Sequence, residues 1–381
     1  MKMNRSKVAL IPCRSYEDDV YGKICEAVDL LGGIESFVKQ EEKILVKPNV
    51  LSGAAPEKAI TTHPAVFGAV LRLLQEKGFS KIQYGDSSGP QGGSGFERNM
   101  EVCGTAGKAE EYHVPAGDFT HYETVKYPSG RRCREFALCK AVNENDAIIS
   151  LCKMKTHALE NITGAVKNQY GLIYGSQKAK GHAKYPDSRS FADMLTDLCM
   201  CTKPRLYIMD GIIAMEGNGP ASGDPVPMKV LLASSDPVAL DTVFASLIYL
   251  NPEYVPTCVS GAAGGLGIMN ADRIEVLTPE GTVSLKTAQE RFGNPKFNVK
   301  REKPRFWRLA SFLPFKKKKT DRPVVDTEKC VGCGICMEAC PVEGKAVHSG
   351  NGKKAEYDYK KCIRCYCCQE MCPVKAIRKE S

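Results

Sequence analysis

The sequence predicts an α/β fold, a mainly parallel sheet with flanking helices, followed by a small α+β domain at the C-terminus. Three observations carry this. Short apolar runs alternate with amphipathic helical stretches from the first residues onward, as a parallel sheet with right-handed crossovers requires. Polar and glycine-bearing clusters sit at the ends of the apolar runs. The last fifty residues change to a doubled cysteine pattern.

The elements follow in order. Residues 7–12 read as a strand and 17–31 as an amphipathic helix. Residues 43–50 form the next strand, 64–77 a helix and 81–85 a third strand. The stretch 103–138 is less regular and reads as an insertion or small subdomain. Strands are expected again at 147–152, 205–210 and 229–233, with helices at 158–171, 190–201 and 237–250. Asp236-Pro237 looks like a helix start, with Asp as cap and Pro as first residue. Domain boundaries are expected at 1–295 for the α/β part, 296–324 for a linker and 325–381 for the cysteine-rich part.

The cysteine pattern is Cys330-x-x-Cys333-x-x-Cys336-x-x-x-Cys340-Pro341, repeated as Cys362-x-x-Cys365-x-x-Cys368-x-x-x-Cys372-Pro373. It resembles bacterial two-cluster ferredoxins closely. In that arrangement three cysteines of each run hold one cubane and the fourth crosses to the other. Cys330, Cys333, Cys336 and Cys372 are therefore expected to bind one [4Fe–4S] cluster. Cys340, Cys362, Cys365 and Cys368 are expected to bind the second. Zinc sites favour paired C-x-x-C knuckles or mix in histidine, and two complete ferredoxin runs are more specific than that. Cys367 is left over and has no assigned ligand role. Ser349-Gly350-Asn351-Gly352 between the runs reads as a hairpin turn.

Length and charge set limits. The 381 residues exceed what one ferredoxin needs and leave enough chain for a large core. Nine further cysteines are scattered without a pairing pattern, and no secretory signal precedes them. With oxygen-sensitive clusters, this points to a reducing cytoplasm. The net charge of +9 is matched by residues 296–322 alone, where eleven Lys and Arg face Glu302 and Asp321. The rest of the chain is thus neutral in sum, and a nucleic-acid footprint on the main domain is not expected. The basic segment carries Phe306, Trp307, Phe312 and Phe315 among its charges, so 306–319 is a candidate weak contact with an anionic membrane. Pro304 and Pro314 favour a plain linker.

In open α/β sheets ligands bind outside the carboxyl ends of the strands. Four polar clusters are expected there. Lys47 and Asn49 close the second strand. Asp86 and Ser87 close the third and open a loop rich in glycine, whose amides suit an anion. That loop lacks both the P-loop lysine and a GxGxxG signature. Lys153, Lys155 and His157 follow the 147–152 strand, with Lys167 and Asn168 shortly after. Asp210 ends another strand, and Glu216 follows. Were 158–171 helical, Asn161, Gly164 and Asn168 would share one face. The lysines would hold an anion, and His157 would move protons near neutral pH. His182 is a second imidazole that, with His157, suits a metal or acid–base work. Asp241 reads as structural.

Leu45-Val46-Lys47-Pro48-Asn49, Gly85-Asp86-Ser87, Lys153-Met154-Lys155-Thr156-His157, Thr163-Gly164-Ala165-Val166-Lys167-Asn168, Asp210-Gly211-Ile212 and Ser235-Asp236-Pro237-Val238-Ala239 together resemble the prokaryotic family catalogued as domain of unknown function 362. The resemblance covers residues 6–280 and, with the ferredoxin that members often carry, 325–378. It implies an iron–sulfur protein and transfers no reaction. The residues themselves suggest a ferredoxin-coupled redox enzyme. Lys155, His157 and Lys167 would be catalytic, and Lys47, Asn49, Asp86, Ser87, Lys153, Asn168, Asp210 and Glu216 would bind an anionic substrate. The alternatives are an electron carrier with a docking domain, or a factor that passes on a cluster or metal. Partners are then a redox protein or a small anion.

Overall fold

The computed structural model describes residues 5–88, 95–302 and 321–380. Most of the glycine-rich loop and the 306–319 segment therefore lie outside the described residues.

The first strand, β1 (Ser6–Pro12), is buried on both faces through Val8, Ala9, Leu10 and Ile11. Such a run suits the middle of a sheet covered by helices on both sides. β2 (Ile44–Lys47) and β3 (Ile82–Tyr84) follow, separated by the helix Pro64–Glu76. That helix begins as its sequence predicts, with Pro64 as first residue and the His63 ring accepting from the Ala65 amide. The irregular stretch after residue 95 holds two short helices and a separate hairpin of β4 (Tyr122–Lys126) and β5 (Glu135–Cys139). β6 (Ala147–His157), β7 (Asn161–Thr163), β8 (Leu206–Glu216), β9 (Asp224–Ser234), β10 (Ile274–Thr278) and β11 (Gly281–Val283) complete the main sheet.

Among the described residues this sheet has nine strands in the order β11-β10-β1-β9-β8-β6-β2-β3, with β7 folded back on the far end of β6. β2 pairs in parallel with β3 and β6, β6 with β8, and β1 with β10, while β9 runs antiparallel between β8 and β1. Six strands share one direction, so the sheet is mixed and mostly parallel. From β2 the chain crosses outward to β3, then returns to β6 on the other side of β2. This is a topological switch point, where open α/β sheets form their crevice.

Three expectations are corrected. β6 and β8 run on five to six residues past their expected ends, so Lys153, Lys155 and His157 lie within β6 rather than after it. The helix expected over 158–171 is replaced by β7, the short helix Ala165–Asn168 and a 3₁₀ turn. Asn161 takes a positive φ of 63° and donates to the Tyr254 carbonyl, so it shares no helix face with Asn168.

The helix Pro237–Leu247 is buried at all eleven positions, and Asp236 caps it by accepting from Val238 and Ala239. Asp241 inside it is fully buried and accepts from the amides of Ala165 and Val166. It is structural, as its sequence context suggests. Burial pushes its carboxyl up to about 7, against those two amide donors. A Cβ at Gly164 would lie 1.9 Å from its Oδ1, so only glycine allows this approach.

The C-terminal part pairs β12 (Arg322–Val325) with β15 (Ile377–Glu380), and β13 (Val347–Gly350) with β14 (Lys353–Tyr357). Asn351 and Gly352 both have positive φ at the expected turn, as a two-residue hairpin demands. The short helix Cys367–Glu370 rests on the extension after β8. There Gln369 is fully buried, and its Nε2 donates to the carbonyls of Asn218 and Gly219. Lys375 Nζ donates to the Gly223 carbonyl at 2.9 Å and Lys379 Nζ to Ala158 at 2.7 Å.

Candidate functional site

The cysteines arrange themselves crosswise. Cys330, Cys333, Cys336 and Cys372 line one cavity, and Cys340, Cys362, Cys365 and Cys368 line another. Among the described residues no three His, Cys, Asp or Glu side chains converge closely enough to ligate a single ion. A quartet spread around a cavity suits a polynuclear cluster instead. Amides of Ala355, Ala346 and Ala376 donate to Cys330, Cys340 and Cys372 sulfurs at 3.3–3.4 Å, and the Tyr357 hydroxyl donates to Cys368 at 3.0 Å. Such donors stabilise thiolate charge and tune cluster potential. The donor set fits the group.

A third cavity, of about 90 Å³, opens beside the carboxyl ends of β2, β3 and β6. Asn49, Asp86, Ser87, Lys155, Lys167 and Asn168 line it, together with Lys178, His182 and Tyr170 from the segment after β7. Its far wall is Ala339, Cys367, Glu370 and Met371 from the cysteine-rich part.

Lys47 sits behind this surface. Its Nζ lies 2.8 Å from Asp86 Oδ1 and 3.1 Å from Asn168 Oδ1. Asp86 also accepts from the Val50 amide at 2.6 Å. Burial lowers the Lys47 pKa, and the Asp86 charge works against that. A Cβ at Gly171 would stand 1.8 Å from Asp86 Oδ1, so the bare backbone there lets the pair form.

Alternation along β6 puts Lys153, Lys155 and His157 on one face. A register shift against β8 between Lys153 and Lys155 then separates their fates. Lys153 Nζ meets Asp210 Oδ2 and the Tyr16 hydroxyl, each at 2.8 Å, while Tyr16 donates to Asp210 Oδ1 at 2.9 Å and stacks on His63. This trio, with Lys153 and Asp210 buried and Tyr16 half-buried, closes on itself. Lys153 and Asp210 therefore do not line the cavity. Glu216 lies elsewhere again, accepting from the Asn298 amide. The expected convergence of all these residues in one pocket is corrected to this extent.

Lys155 donates to the Ile60 carbonyl at 2.6 Å and has no carboxylate partner among the described residues. Burial, reinforced by the charge of Lys167, lowers its pKa to about 7. Lys167 lies 5.3 Å from the Tyr170 ring centre, a cation–π distance. Lys178 donates to the Ser87 carbonyl, and burial lowers its pKa to about 8.

His157 is fixed by its neighbours. The amides of Leu159 and Glu160 both donate to Nδ1 at 3.1 Å, so the ring proton belongs on Nε2. Nε2 faces Glu370 Oε1 at 2.9 Å, across the junction with the cysteine-rich part. Burial lowers the His157 pKa despite that carboxylate. Burial also opposes ionisation of Glu370, but His157 and Lys167 outweigh it and hold the carboxyl below its usual range. The ring does not line the cavity; it holds one wall. His182 does line it, between Tyr170 and Phe191, and burial lowers its pKa to about 3. It is neutral at pH 7, and among the described residues it converges with no cluster of side chains that could hold a metal ion.

Sequence reasoning missed Lys178, Tyr170, Glu370 and any role for Cys367. Lys178 sits on a polar helix with no apolar stripe to orient it. Glu370 lies between two cysteine positions whose spacing says nothing about the outward face.

An α/β domain whose cavity is walled by a cysteine-rich, cluster-binding domain defines an iron–sulfur protein. The family model described as Domain of unknown function (DUF362) matches residues 44–246, and a 4Fe-4S dicluster domain matches residues 322–373. The chain belongs to the DUF362 family. Thylakoid-associated protein sll1697 of Synechocystis sp. is 34% identical over 267 residues, 68% of this chain and 79% of that protein. Among solved structures, the lactate racemase apoprotein from Thermoanaerobacterium thermosaccharolyticum is 11% identical with a TM-score of 0.41, covering 60% of this chain and 54% of its own. A Thermotoga maritima protein is 14% identical with a TM-score of 0.38, covering 64% and 59%. The chain spans little more than half of each. Among the described residues no helix is long and apolar enough to cross a membrane.

Proposed function

We propose that this protein is an iron–sulfur oxidoreductase that exchanges electrons with a small anionic molecule held in the shared cavity. The observation that carries this reading is the common wall. Lys155, Lys167 and Lys178 stand on the α/β side and Cys367 and Glu370 on the other. Burying an ammonium without a counter-charge costs several kcal/mol, and a bound anion offsets that cost. Asp86 is already engaged by Lys47, and Glu370 supplies one negative charge against Lys155, Lys167 and Lys178, which leaves the cavity with surplus positive charge.

When bound, the two clusters supply one-electron chemistry. The chain supplies the rest. Lys167 and Lys178 hold the anion. Asn49 and Asn168 orient it through their amides. Lys155, with a pKa of about 7, gives or takes a proton at neutral pH, where general acid–base catalysis is most effective. His157 keeps Glu370, and with it the helix Cys367–Glu370, in place. A redox protein loads or empties the clusters, and a reducing cytoplasm suits both the thiols and the clusters.

An electron carrier alone needs an exposed cluster edge and no cavity lined with lysines, which favours the enzymatic reading. The test is anaerobic purification followed by mass spectrometry of small molecules that co-purify, with Lys167→Ala as control. An anion retained by the wild-type protein and lost from the variant supports the reading. Protein that carries no anion, and binds neither phosphate nor acetate in calorimetry, refutes it.

A further inference from the structure

The lysines of the cavity call for a negative charge, and a second demand beside them stays unmet. Asn49 Oδ1, Thr163 Oγ1 and His182 Nδ1 belong to cavity-lining side chains that are more than nine-tenths buried. None of the three atoms has a hydrogen-bond partner among the described residues. Buried polar atoms of this kind await a partner. The Asn49 oxygen is the most restrictive. Its backbone is held on both sides by Thr62, whose Oγ1 accepts from the Asn49 amide at 2.9 Å and whose amide donates to the Asn49 carbonyl at 3.0 Å. The side chain therefore leaves the end of β2 from a fixed point.

An amide oxygen only accepts, and so does an ionised carboxylate. The anionic group that the lysines hold therefore cannot satisfy Asn49. The donor has to be a second group on the same molecule. An ammonium is disfavoured, because Lys155, Lys167 and Lys178 outnumber Glu370 around the cavity. A hydroxyl is uncharged, donates to Asn49 Oδ1 and still accepts from another hydroxyl such as that of Thr163. Size narrows the class further. At about 10–15 Å³ for each water-sized group, the cavity of about 90 Å³ encloses roughly six to nine of them. That admits an acid of about two to four carbons and is too little to enclose a nucleotide or a sugar phosphate. Val50, Leu51 and Pro220 supply apolar wall for a short carbon chain.

We propose that the molecule held in this cavity is a short hydroxycarboxylate, with its carboxylate on Lys167 and Lys178 and its hydroxyl on Asn49 Oδ1. Thr163 then becomes a binding residue, which an anion site alone does not require. This inference rests on the cavity being the anion site proposed above.

The experiment is calorimetry on the anaerobic, iron-loaded full-length protein, with glycolate and acetate as probes that differ by one hydroxyl. Glycolate binds about ten-fold tighter or more, since acetate leaves the buried oxygen unpaired. Asn49→Ala cuts that preference to about two-fold and leaves acetate affinity within about a factor of two. Thr163→Val, which removes only the hydroxyl, weakens glycolate more than acetate. Lys167→Ala weakens both alike. Equal affinity for the two probes in the wild-type protein overturns the hydroxyl and leaves the anion site standing. Glycine binding as tightly as glycolate overturns it in the same way, and so does a glycolate preference that survives both Asn49→Ala and Thr163→Val. Binding of neither probe brings down the anion site itself, and this inference with it.

Discussion

Replacing Lys155 by methionine separates what the lysine does for function from what it costs the fold. The side chain is 1% exposed and has one neutral acceptor, the Ile60 carbonyl, among its described partners. Its pKa falls from 10.5 to about 7 on folding. That gap corresponds to about 5 kcal/mol at about 1.4 kcal/mol per pH unit, an upper figure for the cost of keeping the ammonium buried. Methionine fills nearly the same volume, but leaves the Ile60 carbonyl unpaired at a cost of about 2 kcal/mol. The variant should therefore gain about 3 kcal/mol below pH 7. The sign with pH is determined. Between pH 7 and 10.5 the unfolded chain keeps the proton and the folded protein sheds it, so wild-type stability rises with pH and the variant lacks that rise. The advantage of Lys155→Met is full below pH 7, shrinks by about 1.4 kcal/mol per pH unit as pH climbs and reverses near about pH 9. Anaerobic urea unfolding of both proteins from pH 6 to 9.5 measures the difference, in which groups common to both cancel. A pH-independent difference, or a variant less stable than wild type at pH 6, would refute the buried, depressed lysine.

The remaining predictions concern the clusters and the packing behind the cavity. Anaerobically reconstituted protein should hold about eight iron and eight sulfide per chain, as two cubanes require, and four or fewer would defeat the two-cluster assignment. Gly171→Ala should destabilise by about 2–4 kcal/mol in urea unfolding, because its Cβ would collide with Asp86 and part it from Lys47; an unchanged midpoint would contradict that contact. Lys153→Ala should cost about 3–5 kcal/mol by stranding Asp210, yet leave phosphate affinity within a factor of two. A tenfold loss of affinity at unchanged stability would put Lys153 back in the binding site.

Much of this was legible from local rules. The helix at 64–76 and the Asp236-Pro237 start follow capping chemistry that needs no distant partner. The crosswise cysteine quartets are what the resemblance to two-cluster ferredoxins implies, and the two cavities match it. The extension of β6 was hidden because Lys153 and Lys155 interrupt the apolar run, and a strand can bury them only with help from Asp210 and Ile60. The apparent helix at 158–171 failed for the opposite reason. Its periodicity was adequate, but pairing of Lys155, Thr156 and His157 with Thr163, Ile162 and Asn161 claimed the first residues for a strand. Sequence position likewise could not divide one lysine cluster into a closed ion trio and an open cavity, since that division is made by a register shift.

The helix Cys367–Glu370 belongs at once to the frame around the iron and to the boundary of the cavity. Its conformation depends on thiols that ligate on either side of it. If the cavity is the anion site proposed above, metal insertion and chamber assembly become one folding event, and a chain that has not acquired iron lacks a finished chamber. On that reading, newly made or oxidatively stripped molecules would not hold the anion. Equilibrium dialysis of phosphate against iron-free and reloaded protein exposes this checkpoint, and equal uptake by the two forms would abolish it.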